Sequence, residues 1–276
     1  MMDHPSDLTM VSGDGANPFV RYVGSETLLS LQNLRTNSET EPSFLITTQV
    51  NELLFKLAHT EAVRARDQLE GDDAAGALRT LRRLRNVYTA LNGTWDVLCS
   101  MSPTEYAEFR DALGEGSGFQ SYMYRHMEFL LGHKVAAMAE GHRGHEPVHR
   151  DLLRSLGEMS LYDAILRLLW RRGLPVPRSS VERDWSEAVP PVREEIVEVW
   201  RTVYADQDKH ADLYLLAEAL VDVAFDLCRW RTTHLLSVER LLGSKTGTAG
   251  SSGASWLRRV ADQRFFPELW AVRAQL

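Results

Sequence analysis

The sequence predicts an all-α fold, a bundle of long helices, and three observations support that prediction. Apolar residues recur at helical spacing along most of the chain. No alternating polar–apolar run is long enough to build a sheet. At 276 residues and 44% hydrophobic, the chain holds enough apolar side chains for one core. Residues 1–17 are polar, with Asp, Ser, Gly and Pro interleaved, and read as a mobile arm; 18–276 read as one domain. The stretch Tyr22 to Leu34, carrying Leu28, Leu29 and Leu31, begins the ordered part. Phe44-Leu45-Ile46 leads into a helix over Gln49 to Arg66, where Val50, Leu53, Leu54 and Leu57 share a face. A second long helix is predicted over Ala74 to Leu98, on Leu78, Leu81, Leu84, Val87 and Leu91.

Ser102-Pro103-Thr104-Glu105 has the cap and first-turn proline of a helix start. A turn at Gly114, Gly116 and Gly118 precedes a helix over Phe119 to Leu131, and Gly141 to Pro147 reads as a loop. Leu152 to Trp170 is predicted as one apolar helix, and the proline-bearing stretch Arg171 to Pro190 as a loop. Helices follow over Pro191 to Ala205 and over Ala211 to Leu242, the longest and most apolar. Gly243 to Gly253 reads as a Gly/Ser/Thr loop, and Trp256 to Leu276 as a closing helix.

Charge narrows the function classes. Against 31 Lys and Arg stand 38 Asp and Glu, a net charge of −7, which argues against nucleic acid and anionic membrane surfaces as partners. Cys99 and Cys228 lie far apart, so neither a disulfide framework nor a Cys-x-x-Cys metal clip is present. No apolar run approaches a membrane span and no charged-then-apolar signal opens the chain, so a cytoplasmic setting is expected.

Several residues are candidates for chemistry. His234 falls on the seven-residue stripe Leu220, Leu227, Leu241 of the longest helix. Such an imidazole is either a satisfied core histidine or an axial heme ligand, which needs a neutral ring in a dry, apolar wall. Arg125 shares a helical face with Tyr122 and Phe129 and suits either a ligand carboxylate or an ion pair with Glu128. The stretch Gly247-Thr248-Ala249-Gly250-Ser251-Ser252-Gly253 suits either a ligand-wrapping loop or a linker. It is no phosphate loop, since Lys245 precedes the glycines and no strand leads in. His142, His145 and His149 have spacings that zinc tolerates, but no carboxylate or Cys completes a ligand set. The charged run Arg79 to Arg85 reads as a solvated helix face.

Taken together, these segments resemble the tryptophan 2,3-dioxygenase family of the heme-dependent aromatic oxygenases over most of the chain. The resemblance lies in Leu28-Leu29-Ser30-Leu31-Gln32, in Phe44-Leu45-Ile46-Thr47-Thr48-Gln49 with Glu52-Leu53-Leu54-Phe55-Lys56, and in Ser117-Gly118-Phe119-Gln120-Ser121 running into Tyr124-Arg125 and Glu128. Trp230-Arg231-Thr232-Thr233-His234 and the loop from Gly247 to Gly253 complete it, in the family's order and with its spacing. The resemblance implies a helical pocket for heme b, with His234 as axial ligand of the iron and Trp95, Ser117 and Gly118 against the cofactor. It implies an aromatic amino acid and O2 as substrates, with Arg125 on the carboxylate, Thr248 on the ammonium, and Phe44 and Tyr124 beside the ring. It further implies a homotetramer in which the N-terminal segment, with Phe19 and Tyr22, reaches a neighbouring subunit's site.

Three departures qualify the resemblance, one of them the reduction of the N-terminal arm's usual Tyr-x-x-Tyr to Phe19 and Tyr22. The family's Phe-x-x-x-His-Gln places a histidine facing the indole N–H, and here Thr48 stands in that position. A Thr hydroxyl accepts a hydrogen bond but cannot act as an imidazole base. Ala249 replaces the middle glycine of the substrate loop. The expected activity is therefore oxidation of the indole ring of L-tryptophan or a substituted tryptophan, redirected by Thr48 toward mono-oxygenation in natural-product biosynthesis, with a hydroxyindoline or 2-oxindole product. Ordinary dioxygenation to N-formylkynurenine and a tyrosine-hydroxylase-like activity are the competing enzymatic readings. A helical heme or ligand carrier and a heme-free interaction module are the non-enzymatic ones.

Overall fold

A computed structural model of the chain describes residues 17–189, 192–243 and 254–276. No strand occurs among them, and helices follow one another throughout. The helices are α1 (Pro18–Val23), α2 (Ser25–Leu28), α3 (Glu41–Glu70), α4 (Ala74–Leu98), α5 (Pro103–Arg110), α6 (Tyr122–Leu130), α7 (Ala136–Glu140), α8 (Glu146–Gly157), α9 (Leu161–Arg171), α10 (Arg178–Val181), α11 (Glu194–Ala205), α12 (Ala211–Leu242), α13 (Ala254–Asp262) and α14 (Pro267–Ala271). Of the expected N-terminal arm only Asn17 is among the described residues, and its side chain caps α1.

The frame is α3, α4 and α12. Helix α4 packs along both of the others, and α6 and α9 lean on α3. Small residues set the closeness of α3 to its neighbours: Ala58, Ala62 and Ala65 are fully buried at helical spacing. Leu81, Leu84, Tyr88 and Leu91 of α4 and Leu220 and Leu227 of α12 fill the core between them.

Local chemistry fixes the helix starts. The Glu41 carboxylate accepts from the backbone N–H groups of Arg35 and Thr36 at 2.7 and 2.8 Å, which holds the entry to α3. Asp73 caps α4 by accepting from Gly76 N at 2.7 Å. At α5, Ser102 and Glu105 form the reciprocal box that the sequence suggested.

Differences from the sequence expectations have local causes. The helix at Phe44 starts earlier than predicted, because Pro42 occupies its first turn. The segment from Leu152 to Trp170 is two helices, since the box of Ser160 with Asp163 starts α9 afresh. Helix α8 begins at Glu146, inside the expected loop, with Pro147 in its first turn. Helix α6 starts at Tyr122 because Ser121 caps it, and 118–120 form a separate single turn. The closing helix is divided into α13, α14 and a final single turn.

Candidate functional site

Where α3, α4, α6, α12 and α13 converge, they enclose a cavity of about 240 Å³. Phe44, Thr48 and Glu52 of α3 line one side, and Trp95 of α4 and His234 of α12 another. Ser117 and Gly118, then Tyr124 and Arg125 of α6, and Trp256 of α13 line the rest. Eight residues singled out from the sequence thus share one wall system: Phe44, Thr48, Trp95, Ser117, Gly118, Tyr124, Arg125 and His234. Phe19 and Tyr22 lie outside it on the surface, 68% and 92% exposed. Thr248 and Ala249, with the rest of the loop from 244 to 253, lie outside the described residues.

His234 is placed by the apolar face of α12 and held by stacking. The Trp95 ring lies 4.9 Å from it at 24°, and Trp230 is tilted against both. Burial pushes the His234 pKa down to about 4, so the ring is neutral at physiological pH. Among the described residues nothing hydrogen-bonds to either ring nitrogen.

A neutral imidazole of this kind, on the wall of a largely apolar cavity, has the donor chemistry of an axial heme ligand. The nearby indole N–H groups of Trp95 and Trp230 are buried without a partner among the described residues. A Cβ built on Gly118 meets no heavy atom within 4 Å, so this part of the wall leaves room at the cavity edge. The residues present therefore fit a heme.

Thr48 donates its hydroxyl proton to Phe44 O one turn back, at 2.8 Å, which leaves Oγ1 free to accept. Phe44 is held by Phe109 and Tyr106, with ring centroids 5.3 and 5.9 Å away. Glu52 lies one turn beyond Thr48, and burial raises its pKa, opposed by Ser121.

Arg125 is 2% exposed. It is paired with Glu128, and its Nη2 donates to Phe119 O at 3.0 Å. It also lines the cavity, with its guanidinium 4.8 Å from the Phe119 ring centroid and 5.9 Å from that of Trp256, and its Nε has no partner among the described residues. Glu128 takes a second guanidinium: Arg231 Nη2 donates to its Oε1 at 2.6 Å. Burial alone would raise the Glu128 pKa, but Arg125, His133 and Arg231 together hold it down to about 2. Tyr124 accepts from Arg231 Nε at 2.8 Å, so its hydroxyl serves this network.

Glu52 and Arg231 enter the sequence reading only as members of motifs and Trp256 only as the start of the closing helix, none of them as a site residue. Glu52 had a signal, the i+4 spacing that puts it on the face of Thr48. Arg231 sits three residues before His234, but its partner Glu128 is 103 positions away. The histidines His142, His145 and His149 form no metal-binding group among the described residues.

The family profile described as tryptophan 2,3-dioxygenase matches residues 5–171 and 194–276. The chain is 38% identical to a tryptophan 2,3-dioxygenase of Shewanella woodyi over 92% of its own length and 89% of the relative's. It is 42% identical to one from Bradyrhizobium sp. (strain ORS 278) and 40% identical to one from Bacillus cereus, each over 92% of this chain and 91% of the relative. The chain belongs to the tryptophan 2,3-dioxygenase family, and with that membership it is a heme-dependent oxidoreductase.

Proposed function

We propose that this chain uses O2 to oxidise the indole ring of L-tryptophan or a substituted tryptophan, and that Thr48 directs the outcome toward insertion of a single oxygen atom. The observation that carries the reading is the Thr48 hydroxyl on the cavity wall. It acts as an acceptor only, where the family's histidine would stand.

In this reading His234 would hold the iron, backed by Trp95, and Ser117 and Gly118 would line the cofactor's pocket. The bound heme supplies the activation of O2. Arg125 receives the substrate carboxylate and Thr248 its ammonium. Phe44 packs against the indole, and Thr48 Oγ1 accepts a hydrogen bond from the indole N–H. With no imidazole at position 48, that side chain withdraws no proton from the ring nitrogen. The apolar walls exclude water and fix the ring in place. Insertion of one oxygen atom requires the second to leave as water, with two electrons from an external donor such as ascorbate, or hydrogen peroxide in place of O2.

Two further proposals concern setting. The unpaired thiols Cys99 and Cys228 support a reducing, cytoplasmic location. The exposed aromatics of α1 support an exchange of N-terminal segments within a homotetramer.

The test is a Soret spectrum of the reduced protein with and without L-tryptophan or a methylated tryptophan, then O2 with ascorbate and mass analysis of the product. A product heavier by one oxygen atom is expected. N-formylkynurenine alone means that ordinary dioxygenation persists with Thr48 and overturns the single-oxygen reading. A response to tyrosine but not to tryptophan overturns the indole assignment.

A further inference from the structure

The Arg125–Glu128 pair poses an electrostatic difficulty for carboxylate binding. Both residues are buried, and a one-to-one pair is neutral, so it offers little net attraction to an anion. A carboxylate with both oxygens free would also draw a guanidinium into the two-pronged pairing that planar geometry favours, turning its donors away from the cavity.

Arg231 removes both difficulties. Its Nη2 holds Glu128 Oε1 at 2.6 Å, which leaves Oε2 for Arg125 Nη1. Two buried guanidiniums then share one carboxylate, so the cluster carries one surplus positive charge, with His133 Nδ1 beside it at 3.7 Å. Arg231 is itself fixed on every side. Its Nε donates to Tyr124 Oη at 2.8 Å, its Nη1 to Val260 O of α13 at 3.2 Å, and its guanidinium lies over the Phe265 ring at 4.7 Å.

We infer that Arg231 is a positioning residue for substrate recognition: by occupying Glu128 Oε1 it confines Glu128 to one nitrogen of Arg125 and keeps the cluster charged to receive a carboxylate. Because Arg231 lies one turn from His234 on α12, the same contact ties the carboxylate receiver on α6 to the helix that carries the imidazole. This inference rests on the reading of Arg125 as the carboxylate receiver.

The test compares L-tryptophan with tryptamine, which keeps the indole and the ammonium but lacks the carboxylate. Binding to the heme-loaded chain is measured by calorimetry in the absence of O2. Arg231→Gln is expected to weaken L-tryptophan by about 10–100-fold, the scale of a charge-assisted hydrogen bond, and to leave tryptamine unchanged. Arg231→Gln combined with Glu128→Gln removes the neutralising carboxylate as well, and is expected to bring L-tryptophan back to within about threefold of the parent.

Unchanged L-tryptophan affinity in the single variant, equal losses for the two ligands, or no recovery in the double variant each overturns the inference. Should the single variant fail to fold with Glu128 Oε1 left without its Arg231 donor, the double variant, in which a neutral amide replaces that carboxylate, decides by the same criterion. Arg125→Leu separates the two levels of the argument. If it leaves the preference for L-tryptophan over tryptamine intact, the Arg125 reading falls and this inference with it; if it abolishes the preference while Arg231→Gln does not, only the role of Arg231 falls.

Discussion

At the scale of single residues, the site shows what one exchange on a helix face does to available chemistry. Thr48 occupies a wall position where its proton is already committed to Phe44 O, so the side chain presents a lone pair and no titrating group. Thr48→His would put an imidazole on the same wall, able to accept the indole N–H and to take its proton. The expected outcome is a rise in the two-oxygen product relative to the one-oxygen product, read by mass analysis; an unchanged ratio would remove Thr48 as the determinant. The residue scale is also where sequence reading reached furthest and where it stopped. His234, Thr48 and Arg125 were legible because each lies in a short motif at fixed spacing. Arg231 stands in the same stretch as His234, yet its role was not legible, because that role lies in a contact with Glu128 across 103 positions and an arginine in a helix carries no local sign of such a partner.

Among the elements, α4 and α12 were legible nearly end to end while several short helices were not, for a physical reason. The bounds of α4 and α12 follow from sustained periodicity ended by a cap or a glycine; Gly243 takes φ 60° after α12. The break between α8 and α9 has Gly157 at its edge and then the Ser160 box, but the apolar pattern runs on across both and masked it. Packing on α3 makes a direct prediction. Ala62 is fully buried on the close-packed face, so Ala62→Leu overfills it and is expected to cost about 1–3 kcal/mol in urea unfolding.

The contact of α3 with α6 makes another, in pH. His59 and His126 face each other with ring centroids 5.6 Å apart. Burial, with His126 and then Arg66 adding to it, pushes the His59 pKa from 6.5 down to about 4. The unfolded chain thus takes up a proton at His59 near pH 6.5 while the folded chain does so only near 4. Stability from this group is complete above 6.5 and declines as the pH falls toward 4. In His59→Gln, the loss of urea midpoint between pH 7 and pH 5 is expected to be smaller than in the parent.

On the scale of the whole molecule, α3 is apolar on two faces, and only one of them is covered by the described residues of this chain. Ala58, Ala62 and Ala65 are buried, while Ile46, Val50, Leu53 and Leu57 are 45%, 39%, 50% and 44% exposed along a separate stripe. Phe19, Tyr22 and Leu29 near the N-terminus are exposed as well. Apolar side chains at regular helical spacing on a surface mark a place where another protein surface packs, and a second copy of this chain is the partner that the proposed tetramer supplies. Leu53 lies at the middle of the stripe, and Leu53→Glu would place a charge in the covered surface without entering the monomer core. Sedimentation of the parent as a tetramer and of Leu53→Glu as a smaller species, with helix content unchanged by circular dichroism, is the expected outcome. If Phe19 and Tyr22 complete a neighbouring subunit's site, the same substitution will also weaken L-tryptophan binding although Leu53 itself lies outside the cavity lining. A parent that sediments as a monomer rejects the assembly, and a dissociated variant with full L-tryptophan affinity rejects the exchange of N-terminal segments while leaving the assembly in place.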